Sequence, residues 1–522
     1  MRFYLTGLRF SFLSLGLITP VHAYVRLAAI FSDHAVLQRD KPLPVWGSAA
    51  PGESVEIRLG GEQATTLADK NGRWRVTLAP QPVSTTPLTL TVSGMDTITR
   101  RDILLGDVWL CGGQSNMDLA LGACQVPEDI AAANQPLLRH FRVGYNFAIA
   151  PADDVVGSWA VCTPATSPGF SAVGYYFGRK VQAETGVPIG LLSSSVGGTN
   201  IELWISQPTL LKTPGLGEYA GEMKASLAVY QDQLAAILPA ARSWAATGED
   251  AVKSGLPIPL PPVWPEHPFS DKVMRPRCAT LHNGMIAPLV PLSLRGALWY
   301  QGENNADDSL YLIKQNALFS EWRILFQHPS LPVYFVQLAA WKAPAELPAG
   351  GGWGMIRDLQ RQGLAMPHTG MACTIDIGDA NDIHPRNKFD VGERLSRWAL
   401  HHEYGREEII TSGPLFRKMS IEGGIIRIHF DSIGGGLTTA RKSGRAPAIP
   451  TPGDKPSRFA IAGEDRKWAW ADAAIEGDTV VVSSPGVARP VAVRYAYSDN
   501  PEGANLYNQA GLPASPFRTD SW

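Results

Sequence analysis

Ile103-Leu104-Leu105-Gly106-Asp107-Val108-Trp109-Leu110-Cys111-Gly112-Gly113-Gln114-Ser115-Asn116-Met117 decides how the chain is read. Residues 103–110 form a mostly apolar run with the length of a buried strand, and Cys111-Gly112-Gly113 ends it. Ser115 then stands in a glycine-rich strand-to-helix turn. In open α/β sheets, sites form beyond the carboxyl ends of the strands. A serine there is exposed, and a helix N-terminus favours negative charge developing beside it. The same serine can serve as a helix N-cap. This stretch alone leaves both readings open.

Outward from it, strands alternate with helices. Residues 171–184 have helical spacing and 190–195 read as a strand; 294–300 is another strand. A helix at 310–326 leads to a strand at 333–338, and a helix at 355–365 leads to a strand at 371–377. Residues 388–404 read as a helix. This alternation predicts an α/β region over 105–410, with a parallel sheet and helices on both faces. Between 211 and 281 it is interrupted by a polar helix around 223–246 and by the Pro-rich run 257–265. We read this as an insertion beside the sheet. The run is either a packing segment or a rigid surface arm on which Trp264 could stack against sugar.

Residues 24–104 show short alternating runs such as Val55-Glu56-Ile57-Arg58-Leu59, punctuated by Gly and Pro. That pattern predicts a small β-sandwich. From 411 to 522 the chain is again β-rich, with strands expected at 424–430, 478–484 and 491–497. Residues 1–23 resemble a signal peptide: Arg2 and Arg9, an apolar run at 10–18, then Val21-His22-Ala23. The run is too short to span a bilayer. The expectation is an exported protein, periplasmic or secreted.

A net charge of -2, from 46 basic and 48 acidic residues, argues against a nucleic-acid partner. The five cysteines leave at least one unpaired within the chain. Cys111 and Cys373 sit in apolar runs and read as buried thiols; Cys124 and Cys162 sit in loop-like stretches and could pair. No Cys/His spacing suits zinc, so no metal and no cofactor is expected.

Three further polar clusters follow predicted strands. Ser193-Ser194-Ser195-Val196-Gly197-Gly198-Thr199-Asn200 has two glycines that let a backbone N–H turn into a site. Trp299-Tyr300-Gln301-Gly302-Glu303-Asn304-Asn305 offers amides able to donate to an oxyanion. Either is also an ordinary turn. Asp376-Ile377-Gly378-Asp379-Ala380-Asn381-Asp382-Ile383-His384-Pro385 places a histidine among carboxylates. A serine nucleophile needs such a base, and the base an orienting acid. Asp33-His34 and His401-His402-Glu403 also pair His with acid, but neither lies at a strand end of the sheet.

In this order the segments resemble an SGNH hydrolase, specifically the sialate O-acetylesterase-like family. The matching strings are GDVWLCGGQSNM, SSVGGTNIELW, LHNGMIAPL, LWYQGENNA, IDIGDANDIHPRNK and NLYNQAGLPASPFRTDSW, spread over almost the whole mature chain. The resemblance implies a flavodoxin-like three-layer α/β/α sandwich flanked by β-rich regions. It implies Ser115 as nucleophile, His384 as base, and an oxyanion hole from the Ser115 N–H, Gly198 and an amide side chain. Two positions depart from the superfamily pattern. The amide donor, usually Asn, matches Gln301, with Asn304 in reserve. The position three before the histidine is Asn381 instead of Asp, so Asp382 is taken as the orienting acid, ahead of Asp379 and Asp376.

The implied activity is hydrolysis of acetyl esters on glycans through an acetyl-enzyme. The family name points to O-acetyl sialic acid, and relatives to plant polysaccharides such as xylan or xyloglucan. An anionic sugar rewards a basic pocket, for which Arg357 and Arg386 are the nearest candidates, with Asn304 beside them as a substrate contact. Trp204, Trp264, Trp299, Trp341 and Trp353 could offer stacking platforms for neutral sugars, the substrate class the strings favour. A lipid or thioester hydrolase on the same fold would instead need a long apolar channel. A glycan-binding protein or a structural envelope protein would not need the intact Ser115 and His384.

Overall fold

A computed structural model describes residues 24–268, 278–348 and 350–522. The expected signal peptide lies outside the described residues.

The fold is mixed α/β with several sheets. Its centre is a run of seven strands: β1 (Thr97–Gly113), β2 (Gln135–Arg142), β3 (Trp159–Cys162), β4 (Ile189–Ser195), β5 (Gly296–Tyr300), β6 (Val333–Val336) and β7 (Thr369–Ala372). They lie in the order β3-β2-β4-β1-β5-β6-β7, parallel except for the β3–β2 pair. Parallel strands covered on both faces read as continuous apolar runs. Accordingly, every residue of β4, β5 and β6 is buried.

Neighbouring residues of a strand point to opposite faces. Tyr334 of β6 meets Trp398 of helix Lys388–Tyr404, while Phe335 meets Phe319 of helix Tyr311–Leu325. These helices therefore cover opposite faces. Helix Ala172–Thr185 joins the Trp398 side, where Phe177 packs on Trp109 of β1. Its boundaries follow from local chemistry. Ser171 Oγ accepts the Gly174 N–H at the start, and Gly186 takes the left-handed cap.

β1 crosses the expected boundary at 104/105: its first half pairs with Ser84–Ser93 of the N-terminal β region and its second half with β4 and β5. In the C-terminal part, strands Ile425–Asp431, Thr479–Ser483 and Pro490–Tyr495 lie close to their expected positions. The insertion contains a longer helix than expected, Gly217–Lys253. The Pro-rich run lies along it, the Trp244 indole donating to the Pro259 carbonyl, with Leu260 exposed and Trp264 half-exposed. No described helix is long and apolar enough to cross a membrane.

Strands β2 and β3 were not expected. In β2 the apolar pattern is broken by Arg139 and His140, yet both are buried. Arg139 is ion-paired with Asp102 at 2.9 Å, and burial pushes the His140 imidazole down to about 3, so it sits neutral in the core. The suggested pairing of Cys124 with Cys162 is also corrected. All five cysteines are free and buried, and Cys162 belongs to β3, its thiol against Gln135 Oε1.

Candidate active site

The carboxyl ends of β4, β1 and β5 meet at one edge of the sheet, because the register aligns Ser195 with Gly113 and Gly113 with Tyr300. At the end of β1 the backbone of Gly113 has φ +138°, and a Cβ there would run into the Tyr300 carbonyl. Only glycine lets β1 and β5 close up at this point. The chain then enters the short helix Ser115–Asp118, whose N-cap is Gln114. Ser115 is thus the first helical residue and not the cap. Gln114 is buried, and its Oε1 accepts the N–H groups of Gly302 and Asn304, tying the turn to the segment after β5.

His384 comes from the loop between β7 and helix Lys388–Tyr404. Its Nε2 lies 2.8 Å from Ser115 Oγ, across 269 residues of sequence. Partial burial holds the imidazole below its usual range; Asp382 opposes this shift and Lys388 adds to it. A neutral ring against a serine hydroxyl is the arrangement a general base needs.

The carboxylates sort by their partners. Asp376 is paired with Arg394 at 2.6 Å and accepts the Tyr507 hydroxyl. Asp379 accepts the Asn381 N–H. Asp382 lies 3.7 Å from His384 Nδ1, and the same oxygen accepts the His384 backbone N–H at 2.8 Å. Among the described residues it is the carboxylate that reaches the ring.

Three expectations need correction. Gln301 is fully buried, and its Nε2 already donates to the Thr199 carbonyl at 3.1 Å and to Asn305 Oδ1 at 2.7 Å. One amide hydrogen joins the β4 and β5 loops and the other is held within the β5 loop, so none is left for an oxyanion. Gln301→Ala should therefore lower stability by about 1–3 kcal/mol, because it strands buried acceptors; urea unfolding checks this. A fall of about 10² in kcat at unchanged stability would return Gln301 to the oxyanion hole. Arg357 is also fully buried, donating to the carbonyls of Leu338, Ala339, Ser498 and Asp499. It braces the C-terminal part against the sheet and cannot touch substrate. Trp204 and Trp299 are core residues packed edge to face, so they offer no platform.

The other expected residues gather near Ser115. A Cβ on Gly197 would lie 3.4 Å from that of Ser115, and Gly198 has φ +69° with open space beside it. Among the described residues, the N–H groups of Ser115, Gly197 and Gly198 donate no hydrogen bond. Asn304 is exposed, its amide donating to Asn200 Oδ1. Both line a cleft of about 530 Å³ together with Glu202, Glu303, Asp307 and Trp353.

Sequence reasoning missed Asn116, Glu303 and Lys388 as parts of the site. Asn116 Nδ2 donates to Glu303 Oε1 at 2.6 Å, and Asn116 Oδ1 accepts Lys388 Nζ at 2.6 Å. Burial raises the Glu303 carboxyl above its usual range and pulls the Lys388 ammonium down to about 8. All three stand inside quoted strings, but nothing in the linear sequence says that they touch.

A family model described as carbohydrate esterase, sialic acid-specific acetylesterase, matches residues 105–239 and 264–400. The chain is 29% identical to the sialate O-acetylesterase of Mus musculus over 552 aligned positions, covering 94% of each. It is 28% identical to that of Homo sapiens over 460 positions, covering 78% of each. Among solved structures it is similar to a carbohydrate acetylesterase from Xanthomonas citri, with TM-score 0.78 and 36% identity, over 96% of this chain and 100% of that one.

Proposed function

The chain belongs to the sialic acid-specific acetylesterase family of carbohydrate esterases, and from that premise we propose that it removes acetyl groups from glycans by a serine acyl-enzyme mechanism. It is an esterase by family; the mechanism rests on one observation, the 2.8 Å contact between Ser115 Oγ and His384 Nε2 at the strand ends. His384 takes the serine proton as Ser115 attacks the acetyl carbonyl. The free N–H groups of Ser115 and the Gly197–Gly198 turn face the developing oxyanion, and Asp382 steadies the imidazolium. His384 then returns the proton to the departing sugar alcohol, and water hydrolyses the acetyl-enzyme.

We read the architecture as an SGNH-type three-layer sandwich spanning 105–410, with the insertion at 211–281. The opposed contacts of Tyr334 and Phe335 support the layering. The regions 24–104 and 411–522 are taken as flanking β units, and export is taken from the character of residues 1–23.

For the substrate we favour a neutral acetylated glycan of the xylan or xyloglucan type over an O-acetyl sialic acid. A polar cleft that shares Glu303 with the Asn116 network carries Glu202, Glu303, Asp307 and Asp308 with the amides of Asn200 and Asn304. Of its two lysines, Lys314 is paired with Glu202 and Asp308, and Lys342 with Asp499. Glu202 and Asp308 are held by Lys314, and Asp307 stays exposed, so a sugar carboxylate entering there finds no lysine of this lining without a carboxylate partner, while sugar hydroxyls meet acceptors. The polar lining also disfavours a long acyl chain.

Acetate release from acetylated xylan, acetylated xyloglucan and O-acetyl sialosides tests this reading, with kcat/KM expected to be higher on the neutral glycans. Preference for the sialosides overturns the substrate assignment. A series of 4-nitrophenyl esters should peak at acetate; a rise with chain length would favour a lipid or thioester hydrolase.

A further inference from the structure

The histidine loop is fastened at both flanks of His384. Asn116 Nδ2 donates to the Ile383 carbonyl at 3.0 Å, and Lys388 Nζ donates to the Pro385 carbonyl at 2.6 Å. The two side chains also bond to each other at 2.6 Å. One grows from the residue after the nucleophile, the other from the first residue of the helix after the base. Lys388 is fully buried, and its charge is balanced through Asn116 by Glu303, whose Oε2 has no partner. Desolvating an ammonium is costly, and a well-packed apolar side chain often serves stability as well or better. Stability therefore gives no reason for this lysine. The nearest carboxylate, meanwhile, stays 3.7 Å from the ring nitrogen it would orient.

We infer that, given the serine-esterase reading above, Lys388 is a positioning residue for the reaction. With Asn116 it sets the spacing of Ser115 and His384 by gripping the backbone on either side of the base. The groups facing His384 are the Ser115 hydroxyl, Asp382 from its own loop and Lys388 from the helix, with Glu303 behind Asn116. Lys388 lowers the proton affinity of the imidazole and Asp382 raises it. Loss of the lysine charge must move the acid limb of the pH–rate profile to higher pH, while the fall in kcat at constant KM separates misplacement of His384 from a loss of substrate binding.

The test is the full chain carrying Lys388→Met, assayed with 4-nitrophenyl acetate, which needs no sugar site. Folding is checked by circular dichroism and urea unfolding. We expect kcat to fall about 10²-fold, as for a misplaced catalytic group, with KM nearly unchanged and the acid limb shifted upward. Near-normal kcat, a change confined to KM, or an unmoved acid limb overturns the inference. If Lys388→Met does not fold, Asn116→Ala decides. It removes the grip on Ile383 and the Lys388 acceptor, and must lower kcat more than KM; normal kcat overturns the inference. Ser115→Ala runs alongside, since activity surviving in that variant breaks the underlying mechanism and not the positioning role.

Discussion

Ser115→Ala is expected to lower kcat by as much as ~10⁶, the scale seen when a triad nucleophile is lost, while the protein stays folded. The hydroxyl is hydrogen-bonded to His384. Gln114, not Ser115, stands at the N-cap position of the helix, and no side-chain capping bond there involves Ser115. Removing one oxygen leaves the Asn116, Glu303 and Lys388 network in place. Acetate release is the measure, with the unfolding midpoint as control. Substantial turnover by a folded Ser115→Ala protein would falsify the acyl-enzyme mechanism.

Asp382→Asn is expected to cost up to ~10⁴ in kcat, by analogy with loss of a triad acid. The contact to Nδ1 is long at 3.7 Å, but catalytic hydrogen bonds in empty sites are often long and tighten in the Michaelis complex. As His384 takes the serine proton, its charge draws the carboxylate in. The variant also predicts a direction. Asp382 raises the proton affinity of His384, so its removal must move the acid limb to lower pH, opposite to Lys388→Met. Asp379→Asn should have little effect. Asp376→Asn should weaken the fold, because it breaks a buried pair with Arg394. Near-normal activity in Asp382→Asn, with the acid limb in place, would reduce the machinery to a Ser115–His384 dyad steadied by Lys388 and Asn116.

Most of the catalytic region was legible. Helices at Ala172–Thr185, Tyr311–Leu325 and Lys388–Tyr404 fall within a residue or two of expectation. Their caps and apolar spacing are local properties. β2 was not legible, because Arg139 and His140 look solvated until Asp102 and the core supply their surroundings. Gln301 and Arg357 failed for the converse reason. Each has a side chain able to bind ligand, and only the packed structure shows that both Gln301 amide hydrogens and four of the five Arg357 N–H groups are already committed.

The sequence by itself determined the alternation of strands and helices, the glycine-rich turn at Ser115 and the kinds of residue at each strand end. These follow from short-range spacing and backbone preference. The tertiary structure alone decided that Ser115 is not a helix cap, that Asp382 is the carboxylate near His384, and that Asn116, Glu303 and Lys388 form one buried network. Those are matters of a few ångströms between segments up to 272 residues apart. They depend on strand order and register, which bring the ends of β4, β1 and β5 to one edge of the sheet.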